Sequence, residues 1–556
     1  MGFISYLCHR LFRLTVDITV LLMIFVLLPG IPPYVSFSSY EPQEFLPLEG
    51  PLTRNNVLDA ADRIMDGKIV GPESIASRNP EEIFVSLHGG KILRIWGPRF
   101  DHFKIAASIG PGCDGPWQER MCGRPLGLRF APDGRLLVAD AYLGLFAVDV
   151  DTGEQEKLFD NLQEIDGLVP KIPNDLDVDA EGNIYWSDTS TVCSLDEGVI
   201  EYLSDPSGRI LKFENKTKTN TVLVKNVHFA NGVQLSPDQD FILFCETFKY
   251  RVMRYWLKGT KAGQTEVFVD RLPGIPDNIR DKEDGGYYVS LVIVPTDSSK
   301  KISAILARLP LVRKFALRLM AVTQSLFQFF SKIYPEFEQI SSKVFHLEPL
   351  TGPELVANFS IVVELDADGN IINSLQGNSH KLGLISQTTK VGDYLFFGSP
   401  YKKYLGRLFV GPPPVIEVDG KGVKIKTEND TDKNEAEGLE PGVLKNEEDE
   451  PQVVENFNKK TVEEAQEGQV EEFVGVKVEE NIPEEDEKLV KEKVTVEHTE
   501  ALETESHKET KDEKEQEPLQ QNTEWSDVPE EDIEVKTKEN QKDDRDLKKE
   551  VGKEEL

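Results

Sequence analysis

Cysteine and histidine are scarce, 5 and 8 in 556 residues. No group of them is spaced to hold a soft metal such as zinc. Positive charge is also short. Lys and Arg number 63 against 97 Asp and Glu, a formal net charge of −34. Such a chain repels a polyanion, which excludes nucleic acid as a partner. The imbalance is uneven. From Lys421 onward 45 acidic residues face 21 basic ones, and aromatic residues nearly vanish. A Glu/Lys-rich segment of this kind cannot bury enough apolar surface to fold. Residues 417–556 are therefore expected to be a disordered tail. The first 420 residues have ordinary composition and length for one large β domain.

The N-terminus reads as a membrane anchor. Residues 1–13 carry His9, Arg10 and Arg13 and no acid. Residues 14–35 are apolar apart from Asp17 and the Pro-Gly-Ile-Pro-Pro break, about the length of one membrane span. Basic residues before it and Glu41 and Glu44 after it place residues 1–13 in the cytosol and the rest in a lumen or outside the cell. A signal-anchor is favoured over a cleaved signal peptide, because no small-x-small cleavage site stands out. Sequons at Asn215, Asn358 and Asn429 fit an extracytosolic domain. The last residues, Lys553-Glu554-Glu555-Leu556, approximate an endoplasmic reticulum retrieval signal. The expectation is a type II membrane protein of the endoplasmic reticulum or plasma membrane.

Between residues 43 and 410 one pattern recurs. Around Asn231 the chain reads Phe229-Ala230-Asn231-Gly232, a short strand, a turn at Pro237-Asp238, the strand Phe241–Cys245 and the strand Val252–Trp256. Asn231-Gly232 is expected to break the chain at positive φ. Copies start near Glu73, Leu126, Asn174, Asp277 and Ser386, mostly at a spacing of roughly fifty residues. Six copies of a several-strand unit predict an all-β, six-bladed β-propeller. Residues 300–337 break the pattern with helical periodicity and many basic residues, a helical insertion that is a lid, a membrane-surface helix or edge packing. Pro310 should start or kink a helix there.

In a propeller the start of each innermost strand converges on the axis. The copies place Glu73, Asn174, Asn231, Asp277 and Asn278 at that point. Two carboxylates and three amide oxygens suit Ca²⁺: the carboxylates balance the ion, and the amides complete its shell without adding repulsion. The competing reading is that Asn and Asp serve here only as turn formers. Cys113 and Cys122 flank a Gly/Pro/Trp loop and either bridge it or remain thiols.

The chain resembles the strictosidine synthase-like family, nearest its adipocyte plasma membrane-associated and hemomucin branch. Cys122-Gly-Arg-Pro-Leu-Gly, Asn174-Asp-Leu, Tyr185-Trp-Ser-Asp188, Phe229-Ala-Asn-Gly and Leu272-Pro-Gly-Ile-Pro-Asp-Asn carry the resemblance. It implies six blades, similarity to the calcium-dependent paraoxonases and gluconolactonases, the same five residues as calcium ligands, and a Cys113–Cys122 disulfide. It also implies weak arylesterase activity on small amphiphilic esters or lactones, with Asp277 acting on water or ester. Two departures weigh against full transfer. Ser386 stands where strictosidine synthase has a catalytic Glu, and Leu126 and Ala141 stand where paraoxonases have a His pair. His228 is the remaining candidate base. The alternative is a non-catalytic, calcium-stabilised propeller that binds a protein partner at the cell surface or in a lumen.

Overall fold

The computed structural model describes residues 2–113, 115–412 and the strand residues 415–419 and 422–426. Six four-stranded antiparallel sheets follow one another along the chain. The first is Ile75–Asn79, Glu82–Leu87, Lys91–Trp96 and His102–Ser108. The second runs from Pro125–Phe130 to Gln155–Phe159, the third from Pro173–Val178 to Thr219–Val227 and the fourth from Ala230–Leu235 to Thr265–Val269. The fifth starts with Ile275–Asp281 and Tyr287–Ile293, then resumes at Phe359–Leu365 and Ile371–Asn378. The sixth joins Thr388–Val391, Tyr394–Phe397 and Leu405–Phe409 to the early strand Asp62–Ile64. First strands of successive sheets touch, and the sixth touches the first. This is a six-bladed propeller closed by its own N-terminal strand, with Asp62 opposite Arg407 and Ile64 opposite Leu405.

The second strand of each blade explains its composition. Leu136–Asp140 and Ile184–Asp188 are buried at every position. Blades stack face to face, so both faces of such a strand are covered and the sequence reads as a continuous apolar run. Between blades two and three, Leu137, Leu145 and Phe159 meet Ile184, Trp186 and Phe213. Each such side chain contributes roughly 1.5–3 kcal/mol by leaving water. Six copies of this interface make one continuous fold.

The break expected at Asn231-Gly232 lies elsewhere. Positive φ falls on Asn226 and Phe229, whereas Asn231 and Gly232 lie inside Ala230–Leu235. A Cβ on Gly232 would stand 2.6 Å from the Asn278 Cα. This glycine permits two inner strands to approach the axis.

Among the described residues six α-helices accompany the sheets: α1 (Gly2–Leu27), α2 (Glu119–Cys122), α3 (Val199–Leu203), α4 (Asp297–Ala307), α5 (Pro310–Ser331) and α6 (Glu336–Lys343). The insertion thus exists and is wider than residues 300–337. Thr296 Oγ1 accepts from Ser299 N at 3.2 Å and caps α4. Pro310 opens α5 at a position where a missing N–H costs nothing. Arg313, Leu317, Arg318 and Ala321 form the buried side of α5. Leu317 and Ala321 pack with Cys193, Val199, Ile200 and Phe345.

The expected span at residues 14–35 is corrected. No helix among the described residues is long and apolar enough to cross a membrane. α1 begins early and carries Arg10, Arg13 and Asp17. After Asp17 only about ten helical residues remain, roughly 15 Å of rise against a hydrocarbon core of about 30 Å. The chain then leaves the helix for an extended strap. Tyr40 N bonds Ala307 O at 3.1 Å and Leu46 N bonds Arg271 O at 2.7 Å.

The expectation of a wholly disordered tail is corrected at its start. Val415–Asp419 pairs with Gly422–Lys426 as an antiparallel hairpin. The rest of that segment lies outside the described residues, as do Asn429 and Lys553–Leu556. Asn215 and Asn358 are both exposed.

Candidate functional site

The first strand of a blade begins, and the second ends, at the same face of the propeller. Pro173 pairs with Asp188, and Ala230 with Glu246. Loops before first strands and loops after second strands therefore gather on one face. α2, α3 and α4–α6 belong to these loops.

Besides the break between Pro125 and Gly127 in blade two, three first strands carry a register break close to that face. The breaks lie between Pro173 and Leu176, Ala230 and Val233, and Pro276 and Ile279. Each spans a candidate ligand: Asn174, Asn231, and Asp277 with Asn278. A bulge bends the strand and re-aims a side chain that regular alternation would point into the sheet. Glu73 lies just before the first strand, and its backbone oxygen accepts from Ser386 Oγ at 2.7 Å. Asn278 N also bonds Ser386 O at 3.0 Å. Ser386 therefore tethers two neighbours of the ring.

All five residues are buried. Glu73 Oε2, Asn231 Oδ1, Asp277 Oδ1 and Asn278 Oδ1 have no hydrogen-bond partner. Asn174 Nδ2 donates to Thr189 Oγ1 at 3.0 Å, which fixes its amide. Burial pushes the Glu73 carboxyl up to about 7, with Arg124 opposing and Asp175 adding to the rise. Burial and the Glu73 charge raise Asp277 well above the usual carboxylate range, against a hydrogen bond from Asn231. Orphaned buried oxygens cost about 1–3 kcal/mol each unless something binds them. Among the described residues no three His, Cys, Asp or Glu side chains form one ligand group. The ring takes most of its oxygens from amides, and this all-oxygen donor set fits a hard divalent cation such as Ca²⁺.

In the next layer down the channel the carboxylates are paired. Arg280 donates to both oxygens of Asp175, at 2.7 and 2.9 Å, and to Gln387 Oε1 at 2.7 Å. Asp175 also accepts from Val233 N at 2.8 Å. Arg129 donates to Asp177 at 3.1 Å and to Gln234 at 2.8 Å. The channel below the ring is a stack of ion pairs in which each carboxylate is answered by an arginine.

A cavity of about 470 Å³ borders Glu73, Asn174, Asn231 and Asp277. Its remaining walls are largely apolar, including Leu126, Leu195, Phe229, Phe248, Ile275, Ile302, Leu306, Met320 and Leu347. One polar flank was not anticipated: His88, Glu119, Arg124 and Tyr401. His88 Nδ1 meets Glu119 Oε1, and His88 Nε2 lies 2.9 Å from Pro400 O. The two ring nitrogens thus face two oxygen atoms. Arg124 stands 3.9 Å from both Glu73 and Glu119. It is held by Gly71 O at 3.0 Å. The Cys113–Cys122 disulfide, expected from the resemblance, closes the loop that bears Glu119. The one signal for His88 is its place directly after the strand Glu82–Leu87, on the face where the site lies.

His228 does not serve this site. It is buried, its Nε2 lies 2.9 Å from Glu201 O, and it is not among the cavity walls. Burial lowers its pKa to about 4. Leu126 lines the cavity, while Ala141 is buried against Leu126 and Ile172.

The fold and site define a class: a propeller with an axial ring of buried side-chain oxygens beneath an apolar cavity. Residues 174–260 match the strictosidine synthase family model, and residues 50–95 match its strictosidine synthase-like N-terminal model. Hemomucin, an adipocyte plasma membrane-associated protein of Drosophila melanogaster, is 36% identical over 395 residues, covering 69% of this chain and 67% of its own. The adipocyte plasma membrane-associated protein of Danio rerio is 32% identical over 413 residues, covering 72% and 90%. Strictosidine synthase-like protein 3 of Arabidopsis thaliana is 36% identical over 308 residues, covering 52% and 76%. The chain belongs to the strictosidine synthase-like family, on its adipocyte plasma membrane-associated protein and hemomucin branch. Among solved structures, a Xanthomonas campestris gluconolactonase aligns at 14% identity and TM-score 0.39, covering 69% of this chain and 99% of its own. The calcium-binding protein regucalcin from Agrobacterium tumefaciens aligns at 14% and 0.38, covering 63% and 93%.

Proposed function

We propose that the protein is a calcium-dependent hydrolase of small amphiphilic esters or lactones. One observation carries the reading: four buried oxygens without partners belong to a ring that floors an otherwise apolar cavity. Glu73, Asn174, Asn231, Asp277 and Asn278 would hold the ion. Bound there, Ca²⁺ supplies a Lewis acid for an ester carbonyl and charge for the developing oxyanion.

The chain's own residues do the rest. The apolar walls take the hydrocarbon part of the substrate and keep bulk water from the reacting carbonyl. Asp277 accepts a proton from the attacking water. Water adds to the carbonyl carbon, the acyl C–O bond breaks, and that proton passes to the departing alkoxide. An ester gives an acid and an alcohol, and a lactone gives one hydroxy acid. Strictosidine synthase chemistry is not proposed, because Ser386 tethers Glu73 where a catalytic Glu would stand.

The test is phenyl acetate hydrolysis by the purified chain with Ca²⁺, with excess chelator, and with Asp277→Ala. Turnover that persists in either control sinks this mechanism. Ser386, Leu126 and Ala141 favour a second reading, a calcium-stabilised binding propeller. Its signature is no turnover in any sample together with a melting temperature that falls on chelation.

A further inference from the structure

A second, smaller space of about 40 Å³ lies beside the cavity, beneath the strap. The strap leaves α1 where Arg318 donates to the Phe25 and Leu28 carbonyls at 2.7 and 2.8 Å. Its residues Tyr40, Pro42 and Phe45 border this strap pocket. Phe45 packs edge-on against Tyr250, with ring centroids 4.7 Å apart. Lys300 Nζ stands 4.9 Å from the centre of the Phe45 ring.

Helix α4 divides the two spaces. Ser299, Ile302, Ser303 and Leu306 border the cavity. Lys300, Ser303, Ala304, Leu306 and Ala307 border the strap pocket. A spacing of three and four residues makes each set one stripe of the helix. The two stripes share Ser303 and Leu306. Tyr202 of α3 borders both spaces as well. Its hydroxyl shares a hydrogen bond with Ser303 Oγ at 2.8 Å. That bond and the Leu306 side chain form a seam between two compartments. Behind the seam Ala304 and Ala307 are small, which leaves the room.

An aromatic row leads from the ring to this seam. Phe229 stands two residues before Asn231, and its ring lies 4.5 Å from that of Phe248. Phe248 meets Tyr202 edge-on at 5.0 Å. Thr247, beside Phe248, donates through Oγ1 to Pro276 O at 2.9 Å, next to Asp277. A carbonyl seated on the ring would send its hydrocarbon chain along this row toward Tyr202.

We propose that Tyr202, Ser303 and Leu306 are the stop that sets how long a hydrocarbon chain the cavity accepts, and that the strap pocket is the space this stop withholds. The substrate class narrows to esters or lactones with a straight alkyl chain that ends at the seam. The inference rests on the hydrolase reading for the seat of the carbonyl. Each methylene buried short of the stop should raise affinity about fourfold, and each one beyond it should add nothing.

The test is calorimetric titration of the full chain, with Ca²⁺ present, by straight-chain methyl ketones from butanone upward. A ketone offers a carbonyl as an ester does but cannot be hydrolysed. Affinity should climb about fourfold per methylene to a break and then level. Leu306→Ala opens the seam, and the break should move to longer chains. Leu306→Ala/Ala304→Phe fills the strap pocket behind the opening, and the break should return. Ala304→Phe alone should leave the parental break where it is, because the parent's ligand never enters that pocket. Melting temperatures near the parent's verify that the variants fold. A break that stays put in Leu306→Ala, stays long in the double variant or shortens in Ala304→Phe overturns the proposal. So does ketone binding without a break, or none at any length. Ester turnover is read separately. A movable break with no hydrolysis of any ester upholds the stop and removes the hydrolase reading. Phenyl acetate hydrolysis beside an immovable break removes the stop alone.

Discussion

Asp277 and Asp175 are both buried carboxylates in one channel, and they live in opposite conditions. Asp175 receives two bonds from Arg280 and one from Val233 N. Asp277 faces Glu73 and leaves one oxygen without a donor. The paired acid contributes scaffold, because its charge is answered within the chain. The unpaired acids are a cost to the fold that a bound cation removes. In this channel the location of unanswered charge separates the site from its support.

The sharpest break of this contrast is Asp277→Ala. Calcium affinity should fall by more than about 100-fold, since altering even an outer-shell partner commonly costs 10–100-fold. Calorimetric titration measures it, and near-parental affinity would remove Asp277 from the ligand set. Next comes stability, where the two layers should respond with opposite sign. Arg280→Met leaves Asp175 buried and alone, and should cost about 3–5 kcal/mol in urea unfolding. Asp277→Asn, measured in chelator, removes one of two facing carboxylates and should stabilise by about 1–2 kcal/mol. Equal signs would erase the distinction.

Metal occupancy should show without any substitution. Free Ca²⁺ at a hundredfold excess over its dissociation constant adds about 2.7 kcal/mol. A melting curve indifferent to chelator would contradict a folded-state site. Glu201 offers an intermediate case, a buried acid answered only by neutral donors: Ser207 N at 2.9 Å, Ser207 Oγ at 2.6 Å and Ser190 Oγ at 2.8 Å. Burial lifts its pKa from 4.5 to about 7. The native state holds this proton in that window while the unfolded chain has lost it. Its contribution to stability is therefore full below pH 4.5 and declines as pH rises through 7. Glu201→Gln should flatten that slope by on the order of 2 kcal/mol. A slope identical to the parent's would assign the pH dependence to other groups.

Much of this was legible before the structure. The repeats beginning near Glu73, Leu126, Asn174, Asn231, Asp277 and Ser386 indicated six blades, because each blade is built from consecutive hairpins whose turns and apolar runs are local. Their shared phase also picked the ring. His88, Glu119, Arg124 and Tyr401 were not legible, since they come from loops of three different blades and share no spacing. Gly232 was read as a turn residue, yet it serves strand approach, which depends on Asn278 in the next blade. α1 was taken for a span because residues 14–35 are apolar on average. Its helix ends at Leu27, where the Arg318 contacts and the extended strap take over.

Sequence by itself determined the blade count, the oxygen-rich ring and the acidic C-terminal bias, all properties of local pattern and composition. Tertiary structure alone decided which buried acids have partners and which apolar faces stay open. Arg280 answers Asp175 from 105 residues away, and nothing within reach answers the free oxygen of Asp277. Pairing and exposure depend on what the folded chain brings close, and no local pattern encodes that distance.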